Sequence, residues 1–132
     1  MFRFTQKNKQ ETDNENVAII RWKEFKGKKC IQFVFEGIFT EKLAKEIIPQ
    51  WEKMMQEYPN EKVCLVCECS KMQNYDSLAR IQFQECMKKY QKRIDTFWIV
   101  TTSKVAKYGG MIMGALLSFP IKVVESEDKI YE

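Results

Sequence analysis

Residues Val63-Cys64-Leu65-Val66-Cys67-Glu68-Cys69-Ser70 place three cysteines within six positions, two of them in a Cys-x-x-Cys spacing. The stretch is either a metal or redox site or a buried strand that uses sulfur, and the choice sets the class of protein. From Lys62 to Cys69 the run is short and nearly continuously apolar, as expected of a central strand covered on both faces. Side chains on a strand alternate between its faces, so Cys64 and Cys67 point to opposite sides. A zinc knuckle or a thioredoxin-type pair needs a turn or a helix N-terminus that brings both sulfurs together. No turn former lies between these residues, and the sequence offers no second ligand pair. Cys67 and Cys69 share a face, but two ligands inside a strand do not complete a site. Free cysteine packs well as a small apolar side chain, so the sulfurs read as core, with no metal and no cofactor expected.

The rest of the chain fits that reading. Its 132 residues suit one domain, with 45% hydrophobic and 30% charged residues, a globular composition. The net charge is +4, but acids are interleaved with the bases. The densest basic segment, Arg21, Lys23, Lys26, Lys28 and Lys29 with Glu24 inside it, has the spacing of the solvent side of a hairpin. Nucleic-acid binding needs bases clustered on one face, so no nucleic-acid partner is expected. Met1 to Asn16 is polar and lacks a secretory apolar core. No window approaches the roughly 20 apolar residues of a membrane span. The expectation is a cytoplasmic protein whose five cysteines, an odd number, are free thiols. Histidine is absent. That removes the commonest general base and every Ser-His or Cys-His nucleophile pair, so no catalytic residue is assigned and the chain is read as non-enzymatic.

Residues 1–15 form a lead-in, either flexible or, through Phe2 and Phe4, a short edge strand; the domain proper is expected over 16–132. Asn16 to Phe25 is rich in β-branched and aromatic residues, Lys26-Gly27-Lys28 supplies a turn, and Lys29 to Phe35 alternates. Together they predict a β-hairpin, and Gly37 is read as breaking the pattern. Thr40 is a suitable N-cap followed by Glu41. Leu43, Ile47, Ile48, Trp51, Met54, Met55 and Tyr58 recur at helical spacing, which predicts a helix from Glu41 to Tyr58, with Pro49 kinking it or marking its effective start. After the Lys62–Cys69 strand a polar loop is expected. A second helix then opens at Asp76-Ser77 with Leu78, Ala79, Phe83, Cys86, Met87 and Tyr90 on its apolar face. A strand over Arg93–Thr101, a third helix over Lys104–Ser118 and a last strand over Ile121–Glu125 complete the order β-β-α-β-α-β-α-β. Such alternation predicts an α/β fold: a single open, mostly parallel sheet with an antiparallel N-terminal hairpin edge and helices packed on it.

Candidate functional residues are few. Glu68 is expected near the carboxyl edge of its strand, where open α/β sheets place their sites. It either accepts hydrogen bonds from the following loop, points outward, or serves a ligand. In the third helix Met111, Ile112, Met113, Ala115, Leu116 and Leu117 are apolar nearly all round, more than one buried face needs. Gly109, Gly110 and Gly114 thin it. These residues are either close-packed core or a methionine-rich surface for a partner or apolar ligand. Lys104 and Lys107 oppose the helix dipole in the first turn, and either meet an anionic ligand or partner there or are simply solvated.

From Leu65 to Arg80 the sequence "LVCECSKMQNYDSLAR" resembles the signature region of STAS domains, the sulfate transporter and anti-sigma factor antagonist family. That pattern is an apolar strand, an acid, a small residue, a short loop and Asp-Ser at a helix start. Glu68 falls on the acid and Asp76-Ser77 on the Asp-Ser pair. The segment "WIVTTSKVAKYGGMIMGALLSFPIKVVES" resembles the third-helix and last-strand region of the SpoIIAA-like branch, and the likeness spans Asn16 to Ser126. It implies a regulatory, protein-interaction module of bacterial-type signalling. In the family's antagonists the Asp-Ser is followed by another Ser, the phosphate acceptor, and a Gly; here those positions are Leu78 and Ala79, so switching by the usual serine phosphorylation is not expected. Related chains often finish with another amphipathic helix, whereas "SEDKIYE" is too short for one. The expected function is non-catalytic contact with a protein partner, which a second copy of the chain would also satisfy. The contact would run through Asp76, Ser77 and the third helix with Met111 and Met113. The alternative is a carrier or sensor holding a small apolar or anionic ligand between the third helix and the sheet.

Overall fold

A computed structural model describes residues 1–7, 15–115 and 117–132. Within these the order is β1 (Phe2–Lys7), β2 (Glu15–Phe25), β3 (Lys28–Phe39), α1 (Glu41–Glu57), β4 (Val63–Tyr75), α2 (Ser77–Lys89), β5 (Ile94–Val100), α3 (Lys104–Gly114) and β6 (Ile121–Val124), with a 3₁₀ turn at Glu127–Lys129. The strands form one sheet in the order β1-β2-β3-β4-β5-β6. β1, β2 and β3 pair antiparallel, and β3 through β6 pair parallel. The fold class expected from the sequence holds, with β1 added as an antiparallel edge strand.

The β2–β3 hairpin closes on Lys26 and Gly27, both at positive φ (49° and 81°), the signature of a two-residue type I′ loop. The basic hairpin residues are used within the fold. Lys28 pairs with Asp95, Lys23 lies 3.3 Å from Glu127, and Lys29 donates to Tyr58 Oη at 2.8 Å.

α1 starts as expected: Thr40 Oγ1 accepts from the Leu43 amide. Pro49 lies inside α1 and does not mark its start. The end of α1 is closed from outside. Arg93, just before β5, donates to the carbonyl of Met55 (2.7 Å), one of those a helix C-terminus leaves without an intrahelical partner, and to those of Tyr58 and Glu61 just beyond the helix.

Three boundaries differ from expectation. β3 does not end before Gly37 but runs on to Phe39, and β4 continues from Cys69 to Tyr75 where a polar loop was expected. The two strands pair along this extension, with register shifts between Val34 and Glu36 and between Gly37 and Ile38. At each shift β4 carries an extra residue, and such bulges bend a strand while keeping it in the ladder. Gly37 makes this possible with φ of 72°. The buried Asn16 side chain accepts the Ile38 amide at 2.9 Å. The polarity of Ser70 to Tyr75 reflects an extended pair at the sheet's end, where one face is open to solvent. Third, α3 ends at Gly114 instead of Ser118.

The helices cover one face only. Leu43, Ile47, Trp51 and Met55 of α1, Phe83 and Met87 of α2 and Ala106 of α3 join Phe33, Phe35, Leu65, Cys67 and Phe97 in one core. On the opposite face Phe25, Cys30, Cys64, Val66, Trp98 and Val100 are covered by Ile130 and Tyr131. In β4, Cys67 and Cys69 face the helices and Cys64 faces away. All five cysteines are buried and free.

Two substitutions test this account. Gly37→Ala must hold a side chain at positive φ and would bring its Cβ to 2.6 Å from Asn16 Oδ1 and 2.9 Å from the Glu15 carbonyl. It is expected to cost more than ~1 kcal/mol and more than Gly27→Ala, where nothing lies within 4 Å; urea unfolding measures both. Phe83→Ala, which empties the centre of the aromatic core, is expected to cost about 3–5 kcal/mol in the same assay.

Candidate functional site

The parallel strands β3 and β4 end side by side, with Phe39 opposite Tyr75, and each turns directly into a helix. Asp76 sits at this junction. Its amide donates to the Phe39 carbonyl at 2.9 Å. Its side chain occupies the N-cap position of α2 but makes no cap bond there. Instead, Asp76 Oδ2 accepts the Glu41 amide at 3.0 Å. The carboxylate therefore caps the neighbouring helix α1, alongside Thr40, where the dipole favours a negative charge. Asp76 is thus a positioning residue that locks two helix starts together. Ser77, the first residue of α2, is exposed.

Beneath this junction lies a cavity of about 40 Å³ between α2, α3 and the sheet, lined among others by Phe39, Cys69, Met72, Tyr75, Arg80 and Met113. Tyr75 and Arg80 flank the Asp76-Ser77 pair in sequence, so the cavity opens beside it. α3 closes the other side by close approach. Gly109 packs on the Tyr75 ring, Gly110 on Ile99 and Gly114 on Ile121, and a Cβ at any of the three would fall within 3 Å of those side chains. The helical glycines are explained by helix-to-sheet packing, one of the two readings open from sequence.

The outer side of α3 carries the other reading. Tyr108, Met111 and Ile112 are 56%, 51% and 55% exposed, and Val105 is exposed as well. These positions recur at helical spacing and form an apolar stripe, flanked by the exposed Lys104 and Lys107. Met111 and Met113, grouped together from sequence, therefore separate: Met111 faces out and Met113 lines the cavity. Leu78 is an exposed aliphatic side chain, and Ala79 is buried.

Glu68 does not belong to this constellation. β4 runs seven residues past it, so Glu68 is not at the strand's carboxyl edge. It pairs with Val34 and Val100, on the sheet face away from the helices. Its Oε1 accepts the Ser70 amide at 2.9 Å and the Ser70 hydroxyl, at the β4 bulge. Asp76 and Ser77 lie at the start of α2, Met113 lines the cavity beside Tyr75 and Arg80, Lys104, Lys107 and Met111 are exposed on α3, and Glu68 lies on the other face of the sheet.

Two buried thiols on the helical side of the sheet are held in their neutral form. Burial pushes the Cys67 thiol well above the ordinary range, and burial, with the Glu52 carboxylate adding to it, pushes Cys86 up to about 12. Neither is a ready nucleophile, since the thiolate is the reactive form. Among the described residues no group of three His, Cys, Asp or Glu side chains converges as a metal site, and no helix is long and apolar enough to cross a membrane.

No protein-family model matches the chain, and no curated protein matches it in sequence. Its fold has a solved counterpart: the crystal structure of an uncharacterized protein of the DUF3478 family, with a SpoIIAA-like fold, from Shewanella loihica. The two share 11% identity and superpose with a TM-score of 0.73 over 88% of this chain and 92% of that one. The fold is SpoIIAA-like, of the STAS type that "LVCECSKMQNYDSLAR" suggests.

The Asp76 contact separates the two residues of the Asp-Ser pair. Asp76→Ala removes a cap from α1 and is expected to cost about 0.5–2 kcal/mol. Ser77→Ala is expected to stay within ~0.5 kcal/mol of wild type. Thermal or urea unfolding of the two variants distinguishes these outcomes.

Proposed function

We propose that the chain is a non-catalytic, STAS-like interaction module that docks a protein partner through the outer face of α3 and the adjoining start of α2. The observation that carries this reading is the exposed stripe Val105, Tyr108, Met111 and Ile112. Large apolar side chains exposed together on one helix mark an interaction surface more often than chance exposure. Lys104 and Lys107 at its edge suit a partner whose apolar patch is rimmed by acids. Leu78 in place of the antagonists' phosphate acceptor argues for constitutive contact, with no phosphate charge at that position to switch it.

The carrier reading has less support. The cavity under α3 is apolar, but about 40 Å³ holds only about three water molecules, and an apolar ligand of useful size would need α3 to move outward. The absence of catalysis is part of the proposal. It rests on the lack of histidine and on thiols whose burial opposes ionisation. A cytoplasmic setting is proposed with it, as the compartment that keeps five free thiols reduced.

The test is co-purification of the tagged chain from its source cells beside Met111→Asp and Ser77→Asp variants, with circular dichroism to show that each is folded. A complex that forms with wild type and is lost in Met111→Asp supports the α3 surface. Sedimentation of the purified chain decides whether the partner is a second copy. A complex retained at full yield in both variants rejects this surface. Native mass spectrometry that shows a co-purifying small molecule would transfer the assignment to the cavity.

A further inference from the structure

The face of the sheet away from the helices holds a pair of thiols that the Cys-x-x-Cys spacing does not reveal. Cys30 of β3 stands directly opposite Cys64 of β4 in the parallel ladder. Both belong to the same small cluster and both are fully buried. Neighbouring strands lie ~4.8 Å apart, inside the 4.4–6.8 Å Cα separation over which a disulfide can form. Cys67 and Cys69, two residues apart on one strand, are separated by about 6.6 Å of backbone, at the edge of that range. The register therefore singles out Cys30–Cys64 among the five cysteines.

The pair is covered by a thin lid. Ile130 is completely buried against it. Tyr131 stacks edge-on to Trp98 with ring centres 5.2 Å apart, and Lys28 Nζ lies 4.8 Å from the Tyr131 ring. Beyond this the segment is held by side chains of the β2–β3 hairpin: Lys23 to Glu127 at 3.3 Å and Lys26 to the Asp128 carbonyl at 2.8 Å. A single 3₁₀ turn anchored by surface contacts opens far more readily than the sheet beneath it.

We propose that Cys30 and Cys64 are a dithiol/disulfide site, oxidised by a peroxide when the Ser126–Tyr131 segment lifts and restored by a dithiol reductant. Cys64 is the easier of the two to ionise, because the Cys30 thiol hydrogen-bonds to it, while the same contact and burial hold Cys30 up. In the first step the Cys64 sulfur attacks one peroxide oxygen, the O–O bond breaks and the departing oxygen takes a proton to leave as water. Cys64 is then a sulfenic acid. In the second step the Cys30 sulfur attacks Cys64, the S–O bond breaks, and the hydroxyl leaves with the Cys30 proton as a second water. Two thiols and one hydrogen peroxide become one disulfide and two waters; the sulfurs lose two electrons and the peroxide oxygens gain them.

The folded protein is treated with hydrogen peroxide, quenched, digested without reductant and mapped by mass spectrometry. The expected result is loss of two of the five thiols and a linked peptide pair containing Cys30 and Cys64. Cys30→Ser is expected to abolish the link and leave Cys64 as a sulfenic acid trappable by dimedone. Tyr131→Ala is expected to form the same link several-fold faster, and Ile130→Val serves as a gentler opening variant if the first does not fold. A chain that keeps all five thiols in wild type and in the folded lid variant overturns the proposal, as does a link that joins Cys67 to Cys69.

Discussion

The structure depends on one ring. Phe83 of α2 sits 5.0 Å from Phe33, 4.9 Å from Trp51, 5.9 Å from Phe35 and Phe39 and 6.4 Å from Phe97, ring centre to ring centre. Those partners come from β3, α1 and β5, so a single side chain joins two of the three helices to two of the parallel strands. Aromatic pairs in tilted and edge-to-face arrangements add to the area they bury, and here they converge where the sheet is most enclosed. The rest follows. α2 must lie across the middle of the sheet, α1 and α3 take the flanks, and the helix starts come together at the carboxyl ends of β3 and β4.

The two faces of that sheet are unequal. One carries three helices and the large core; the other is sealed over Cys30, Cys64 and Trp98 by a few residues at Ile130 and Tyr131. A parallel sheet normally asks for cover on both sides. This chain meets the requirement on its second face with polar side chains: Arg21 donates to Gln32 at 2.6 Å and Gln32 donates to Glu127, a chain of contacts laid across the strands. The charged hairpin that looked from sequence like a solvated edge is the scaffold for the short cover.

Much of the fold was legible in the residues because local rules and tertiary needs agree. Thr40 and Glu41 announce α1, the spacing of Leu43, Ile47 and Trp51 shows its buried face, and the alternation of Cys64 with Cys67 gives the correct faces of β4. Where sequence and structure part, a polar stretch or a glycine reads locally as an interruption. Ser70 to Tyr75 lacks an apolar signature because pairing with β3, not burial, keeps it extended, and Gly37 serves a bulge that no local pattern predicts. The Asp76-Ser77 pair was visible as a helix start. That the carboxylate serves the neighbouring helix depends on two strands ending level, a fact of topology. The thiol pair Cys30–Cys64 was invisible for the same reason, since its members are far apart in the chain and meet only through strand register.

The three glycines of α3 carry a mechanical consequence. α1 anchors itself with Leu43, Ile47, Trp51, Met54 and Met55, whereas α3 buries only Ala106, Gly109 and Gly110. Burial of a large aliphatic or aromatic side chain contributes about 1.5–3 kcal/mol, and bare backbone offers no such hold. The third helix is therefore held mainly by side chains of the sheet, Ile99 and Ile121, reaching up to its bare backbone, with Met113 partly buried against the core. The apolar stripe is thus presented by the helix that buries no large side chain of its own, beside an aromatic centre built from large ones.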